Sequence, residues 1–181
     1  MTREEGWTLV RSRVKNRNLQ KHMLATEACL RRLATRLGRD EDVWGLAGLV
    51  HDVDYEETKD DHQRHGLVGG GLLEEQGVAS EIVQAVKAHA ENAPVESTLD
   101  KALVAVDPLT GLIVAAALMH PDKKLAGLDT DFVLRRYKEK RFAAGADREQ
   151  IASCSNLGLG LEEFTGICLE AMQGISDELG L

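Results

Sequence analysis

Apolar positions along this chain recur every three or four residues, the spacing of an amphipathic helix, and almost nowhere in the alternation of a half-buried strand. Thr2-Arg3-Glu4-Glu5 has the form of a capping box and opens a first helix whose apolar face is Trp7, Val10 and Val14. A second begins at Asn18, runs through Leu19, Met23, Leu30, Leu33 and Leu37, and closes at Gly38. Asp40 caps a third, almost wholly apolar from Val43 to Val50, which runs into His51-Asp52. The polar stretch Asp54 to Asp61 predicts a loop. A glycine-rich helix follows, from His65 to Gly77. Its Gly69-Gly70-Gly71 predicts close packing against a neighbour or a break, since each glycine costs a helix up to about 1 kcal/mol against alanine. Ser80 opens the next helix, with Ile82, Val86 and His89 on one face; Asn92-Ala93-Pro94 is a loop; Leu99, Leu103 and Val106 lead a further helix to Asp107. Pro108 disfavours helical geometry in the residue before it, so a kink or a fresh helix start is expected there. Thr130 to Leu179 adds two or three helices, one of them over Leu161 to Leu179. The pattern predicts an all-α fold, a single-domain helical bundle of about seven to nine helices.

Composition adds limits. A length of 181 residues fits one domain, 1–181, with a motif-bearing core over 18–120 and a C-terminal helical extension over 125–181. A net charge of -8 argues against a nucleic-acid polymer or an anionic membrane as partner, while leaving room for a local basic pocket that holds a small anion. Cys29, Cys154 and Cys168 are scattered and odd in number, which suits a reducing compartment. The N-terminus has no apolar signal region, and the longest apolar stretch, Leu109 to Met119, falls short of the roughly 20 residues that span a bilayer. The expectation is a cytoplasmic protein without a membrane partner; the oligomeric state is not legible.

The chemistry lies where charge or imidazole interrupts apolar helix. His22, His51 and His89 each interrupt or extend an apolar face and so point inward, where a ring nitrogen must find a partner or a cation. Asp52 follows an apolar helical run, and a buried carboxylate has to be neutralised, paired or bound to metal. Asp107 ends the apolar run Ala102 to Val106; it serves either as a ligand or as the cap of a helix that starts at Pro108. His62 and His120 lie in polar, loop-like surroundings and carry no such implication. His22 to His51 spans 29 residues and His65 to His89 spans 24, each about one helix pair. Ligands spaced in this way converge inside a helical bundle.

Taken together, His22, His51-Asp52, His65, His89 and Asp107 resemble the ligand series of the HD superfamily of metal-dependent phosphohydrolases, over roughly residues 18 to 120. The resemblance implies an HD-domain-like fold in which His22, His51, Asp52 and Asp107 form the core metal site. His65 and His89 match the two further histidines that hold a second metal in binuclear branches; His65 alternatively orients a phosphate. The implied activity is hydrolysis of a small phosphorylated metabolite, a nucleotide above all and as a mono- or diester, by water that the metal activates. Mixed His and Asp ligation leaves Mn, Fe, Co, Ni, Zn and Mg open as one or two divalent ions. Two other outcomes share the fold: a di-iron oxygenase, and a non-catalytic module that binds a nucleotide or metal.

The chain also departs from the family's common forms. His-Asp-Ile-Gly followed by Lys is replaced by His51-Asp52-Val53-Asp54-Tyr55, and no Gly-Tyr-Pro segment occurs, which argues against cyclic-dinucleotide cleavage. Asp54 and Glu56 are carboxylates at the expected mouth of the site, either proton-transfer groups or solvated loop residues. Lys138, Lys140 and Arg141, in the densest basic cluster, are either a solvated helix face or a phosphate clamp.

Overall fold

In the computed structural model, which describes residues 1–181, the helix ends fall largely where the sequence offers caps. Thr2 accepts from the Glu5 N–H, Glu5 accepts from the Thr2 N–H, and α1 runs Arg3–Arg13. Asn16, two residues earlier than expected, caps α2 (Arg17–Leu37), which ends at Gly38 in the left-handed region at φ +63°. Asp40 accepts from the N–H groups of Asp42 and Val43 at the start of α3 (Glu41–Val50). Then come α4 (Tyr55–Thr58), α5 (Leu67–Glu75), α6 (Ser80–His89), α7 (Thr98–Met119), α8 (Thr130–Lys138), α9 (Arg148–Ala152), α10 (Leu161–Gln173) and α11 (Ser176–Leu179). No strand occurs. Eight of the helices run nine residues or more, and α4, α9 and α11 are short turns of four or five.

Three local expectations are corrected. The polar stretch after Asp54 is not all loop, because it carries α4. The helix expected over Leu161 to Leu179 is two, since Ile175 leaves helical backbone (φ -121°, ψ 24°) between α10 and α11. Pro108 does not start a fresh helix; it lies inside α7, which is continuous for 22 residues. Proline removes one backbone bond there, but Leu103, Val106, Leu109, Leu112 and Ile113 on either side are fully buried. A buried side chain of this size contributes about 1.5–3 kcal/mol, so tertiary packing outweighs the local penalty. By length and composition α7 is apolar enough to cross a membrane; here it is the central helix, with twelve of its residues buried.

One hydrophobic core runs through the chain, with α7 against α2, α6, α8, α9 and α10, and α2 also against α3 and α10. The α2–α3 contact brings the two backbones close together. A Cβ on Gly48 would lie 2.8 Å from the carbonyl oxygen of Thr26 and 2.9 Å from the amide nitrogen of Glu27. Only glycine admits that approach, and it sets His22 of α2 beside His51 at the end of α3. The glycine run of α5 packs closely, as one of the two expectations had it: Gly69 lies against Val53 and Asp54, and Gly70 against the stem of Lys87.

Candidate metal centre

Six side chains meet at one end of this bundle. α2 supplies His22, the end of α3 supplies His51 and Asp52, the turn before α5 supplies His65, the last residue of α6 is His89, and α7 supplies Asp107. The four rings follow one rule, in which Nδ1 is tied outward and Nε2 points in. His51 Nδ1 donates to the Gly48 carbonyl (2.8 Å) and His89 Nδ1 to the Val86 carbonyl (2.6 Å), because a carbonyl only accepts. His65 Nδ1 donates to Asp54 Oδ1 (3.0 Å). Thr110 gives its own hydroxyl proton to the Asp107 carbonyl and therefore accepts from His22 Nδ1 (2.9 Å). Outer partners of this kind fix tautomer and ring orientation in metal sites.

The inward atoms lie close together. His22 Nε2 is 3.2 Å from His51 Nε2 and 2.9 Å from Asp107 Oδ1. Asp52 sits between two halves: Oδ2 is 3.5 Å from His51 Nε2 and 3.7 Å from His22 Nε2, while Oδ1 is 3.3 Å from His65 Nε2 and 3.4 Å from His89 Nε2. His51, Asp52, His65 and His89 are buried; His22 and Asp107 form the open edge, with side chains 23% and 31% exposed. That edge borders a cavity of about 300 Å³, walled by Pro108, Gly111 and the segment around Ala143, Gly145 and Ala146.

Electrostatics is decided by the two aspartates. Burial alone would lower the His51 pKa, but the nearby charges of Asp52 and Asp107 push it up to about 9. Burial opposes charging of His65 as well, and Asp52 and Asp54 push it up to about 10. For Asp52, burial would raise the pKa; the charge of His51 and the close approach of His65 Nε2 and His89 Nε2 to Oδ1 hold it well below the ordinary carboxylate range. Asp107 is held low in the same way by His22 and His51. The centre thus keeps its carboxylates ionised and the His51 and His65 rings basic, which is a cation's environment.

The donor set fits a divalent ion on an observation independent of any comparison. His89 Nε2 is buried and aimed at the cluster, and its approach to Asp52 Oδ1 at 3.4 Å makes no hydrogen bond, a costly state for a polar atom unless something binds it. His22, His51 and Asp107 offer ligand atoms within 4.8 Å of one another, as do His51, Asp52 and His89.

Other expected site residues lie elsewhere. Asp54 is not at a solvated mouth: it is buried, and its carboxylate accepts from His65 Nδ1 and, at 2.7 Å, from the Gly69 N–H. Glu56 Oε1 accepts from the N–H groups of Lys15 and Asn16 at 2.8 and 2.6 Å, so this carboxylate joins α4 to the α1–α2 corner instead of facing the centre. Lys138, Lys140 and Arg141 are exposed at and just beyond the end of α8, two residues short of the cavity wall at Ala143, and no ion pair engages them. Two supporting residues were not singled out from the sequence. Thr110 lies one helical step from Asp107, a signal available in hindsight. Arg148, whose guanidinium gathers the carbonyls of Phe142, Ala143 and Ala146, has backbone partners that leave no trace in side-chain pattern.

Comparison with known proteins agrees with this geometry. The family described as "HD domain" matches residues 19–117, a span that contains all six clustered side chains. Ribonuclease Y of Oleidesulfovibrio alaskensis is 30% identical over 96 residues, 53% of this chain and 18% of that protein. Ribonuclease Y of Desulfotalea psychrophila is 26% identical over 163 residues, 81% of this chain and 31% of that protein. The chain therefore covers less than a third of the length of either relative. No solved structure gives a significant match.

Proposed function

The chain belongs to the HD-domain family, and from that premise we propose that it is a metal-dependent phosphohydrolase whose substrate is a small phosphate ester, a nucleotide above all. One observation carries the reading: four imidazoles tied outward through Nδ1 present Nε2 to two ionised carboxylates, and one of those atoms, on His89, makes no hydrogen bond. His22, His51, Asp52 and Asp107 would hold one divalent ion, with His65 and His89 offered to a second or to the substrate phosphate. An ion held there supplies Lewis acidity to water and to a phosphoryl oxygen.

The chain's own groups divide the remaining work. Gly48, Val86, Asp54 and Thr110 hold the rings in place so that no reorganisation is needed when charge develops. The buried side, formed by His51, Asp52, His65 and His89, excludes water, so ester and attacking water enter along the His22–Asp107 edge. With Asp54 and Glu56 engaged by backbone N–H groups, Asp107 is the carboxylate left facing both cluster and cavity.

A second reading, cleavage of a phosphodiester in RNA, is favoured by the name of the matched relatives, and the net charge of -8 weighs against it. The test is metal analysis of the purified protein, followed by phosphate release from nucleoside monophosphates and cleavage of a short oligoribonucleotide with Mn, Fe, Co, Ni, Zn or Mg. Release from the monophosphates with the oligonucleotide intact is expected. Metal-loaded protein inert on both would overturn the hydrolase.

A further inference from the structure

We infer that Gly111 is kept without a side chain to leave room for the ester, and that with the facing segment at Ala143–Ala146 it sets what the centre admits; the inference rests on the hydrolase reading above. Gly111 stands one helical turn beyond Asp107 inside α7. Glycine within a helix destabilises it relative to alanine, so a position of this kind needs a reason. Packing is not the reason. A Cβ on Gly111 would meet nothing within 4 Å, whereas one on Gly48 would strike backbone. The open space is the cavity of about 300 Å³ that borders His22 and Asp107.

The opposite wall is equally sparse. Ala143, Gly145 and Ala146 line it, and a Cβ on Gly145 would also meet nothing. Arg148 holds that wall in place through the carbonyls of Phe142, Ala143 and Ala146. The cavity is thus an open space bounded by α7 and a backbone segment that Arg148 pins. Behind the edge it borders lies Nε2 of His89, a buried ligand atom that makes no hydrogen bond and is aimed into the same cluster. The lining holds no Phe, Tyr or Trp to stack a base and no Lys or Arg to bind a second phosphate. It suits the uncharged sugar or alkyl group attached to the phosphate that is cleaved. Stability is given up at Gly111 for access, an exchange common at functional sites.

Opposite signs make the test sharp. Wild type, Gly111→Ala, Gly111→Leu and the control Gly71→Ala are loaded with Mn and compared by metal content, melting temperature, and kinetics on p-nitrophenyl phosphate and bis(p-nitrophenyl) phosphate. The rise in melting temperature caused by inorganic phosphate provides a binding measure independent of turnover. Gly71 is helical, and a Cβ there also meets nothing, but it lies in α5 away from the cavity lining. Both alanine variants are expected to melt higher than wild type with unchanged metal. Gly111→Leu should keep its metal, lose about tenfold or more in kcat/KM chiefly through KM, and lose the phosphate-induced shift; Gly71→Ala should keep both. Gly111 variants that match wild type in KM and in the phosphate shift would overturn the inference, as would a Gly111→Leu that sheds metal or melts lower. A metal-loaded wild type that neither turns over the esters nor responds to phosphate removes the hydrolase reading itself, a distinguishable result.

Discussion

The hydroxyl of Thr110 lies 2.9 Å from His22 Nδ1 and 2.9 Å from the carbonyl oxygen of Asp107, so one side chain orients one ligand while bonding to the backbone of another. Thr110→Val keeps the shape and removes the acceptor, leaving the imidazole N–H unpaired and free to turn. Metal affinity should fall about 10–100-fold, the range for outer partners of metal-bound histidine, and Thr110→Ser should restore it. A competition titration against a fluorescent chelator measures this; equal affinity in Thr110→Val would remove the hydroxyl from the centre's support.

Asp52 is the side chain on which both halves of the cluster depend. Asp52→Ala should lose bound metal and hydrolytic activity, because no other carboxylate reaches His65 and His89 as well as His22 and His51. Elemental analysis decides it. Wild-type metal stoichiometry in this variant would overturn the assignment of the centre.

Asp54 and Glu56 separate by a stability measurement. Removing the Asp54 carboxylate orphans the buried Gly69 N–H and leaves the His65 Nδ1–H only the longer contact to Thr58 Oγ1 at 3.4 Å. At about 1–3 kcal/mol for each unsatisfied group, Asp54→Ala should lower the urea midpoint clearly. Glu56→Gln keeps an oxygen for the Lys15 and Asn16 N–H groups and should change the midpoint little. Equal midpoints for Asp54→Ala and wild type would contradict the hydrogen-bond account.

These residues also mark how far the sequence could be read. Helical spacing located α2, α3, α6 and most of α7, since an apolar stripe must face a core, and the inward imidazoles His22, His51 and His89 stood out for interrupting those stripes. Asp54 was hidden: within Asp-Tyr-Glu-Glu it has the composition of a solvated loop, and its burial arises only because α5 folds back to place Gly69 beside it. Pro108 misled for the opposite reason, a sound local rule overridden by the packing on either side of it. Arg148 was unreadable, because an arginine bonded to carbonyls depends on where the backbone runs and not on which side chains it carries.

Metal uptake should be pH-dependent in a set direction. In the metal-free fold, His51 at about 9 and His65 at about 10 stand above the ordinary imidazole value of 6.5. Stability from their protonation is therefore fully present below about pH 6.5 and lost as the pH rises through 9 and 10. A cation must displace these protons. Apparent affinity should rise between pH 6.5 and 9, by up to about one log unit per pH unit for each ring that gives up its proton to the cation. Affinity measured across that range, with proton release followed by calorimetry in two buffers, checks the sign. A flat profile would show that neither ring exchanges a proton for metal.

Nuclearity follows from how Asp52 is shared. The two groups of ligand atoms that lie within 4.8 Å both contain His51, and a single Nε2 lone pair serves one cation. Asp52 has no such limit: Oδ2 faces His22 and His51, and Oδ1 faces His65 and His89. A bridging carboxylate of this kind suits two cations about 3.5–4 Å apart, the spacing of two-metal hydrolases. The wild type should therefore bind up to two metals per chain. His65→Ala/His89→Ala should bind one, since His22, His51, Asp52 and Asp107 still surround the other position. Native mass spectrometry of both proteins, titrated with Mn or Fe, gives the count directly. One metal in each would leave His65 and His89 to the substrate phosphate and would end the di-iron oxygenase alternative, which needs both irons.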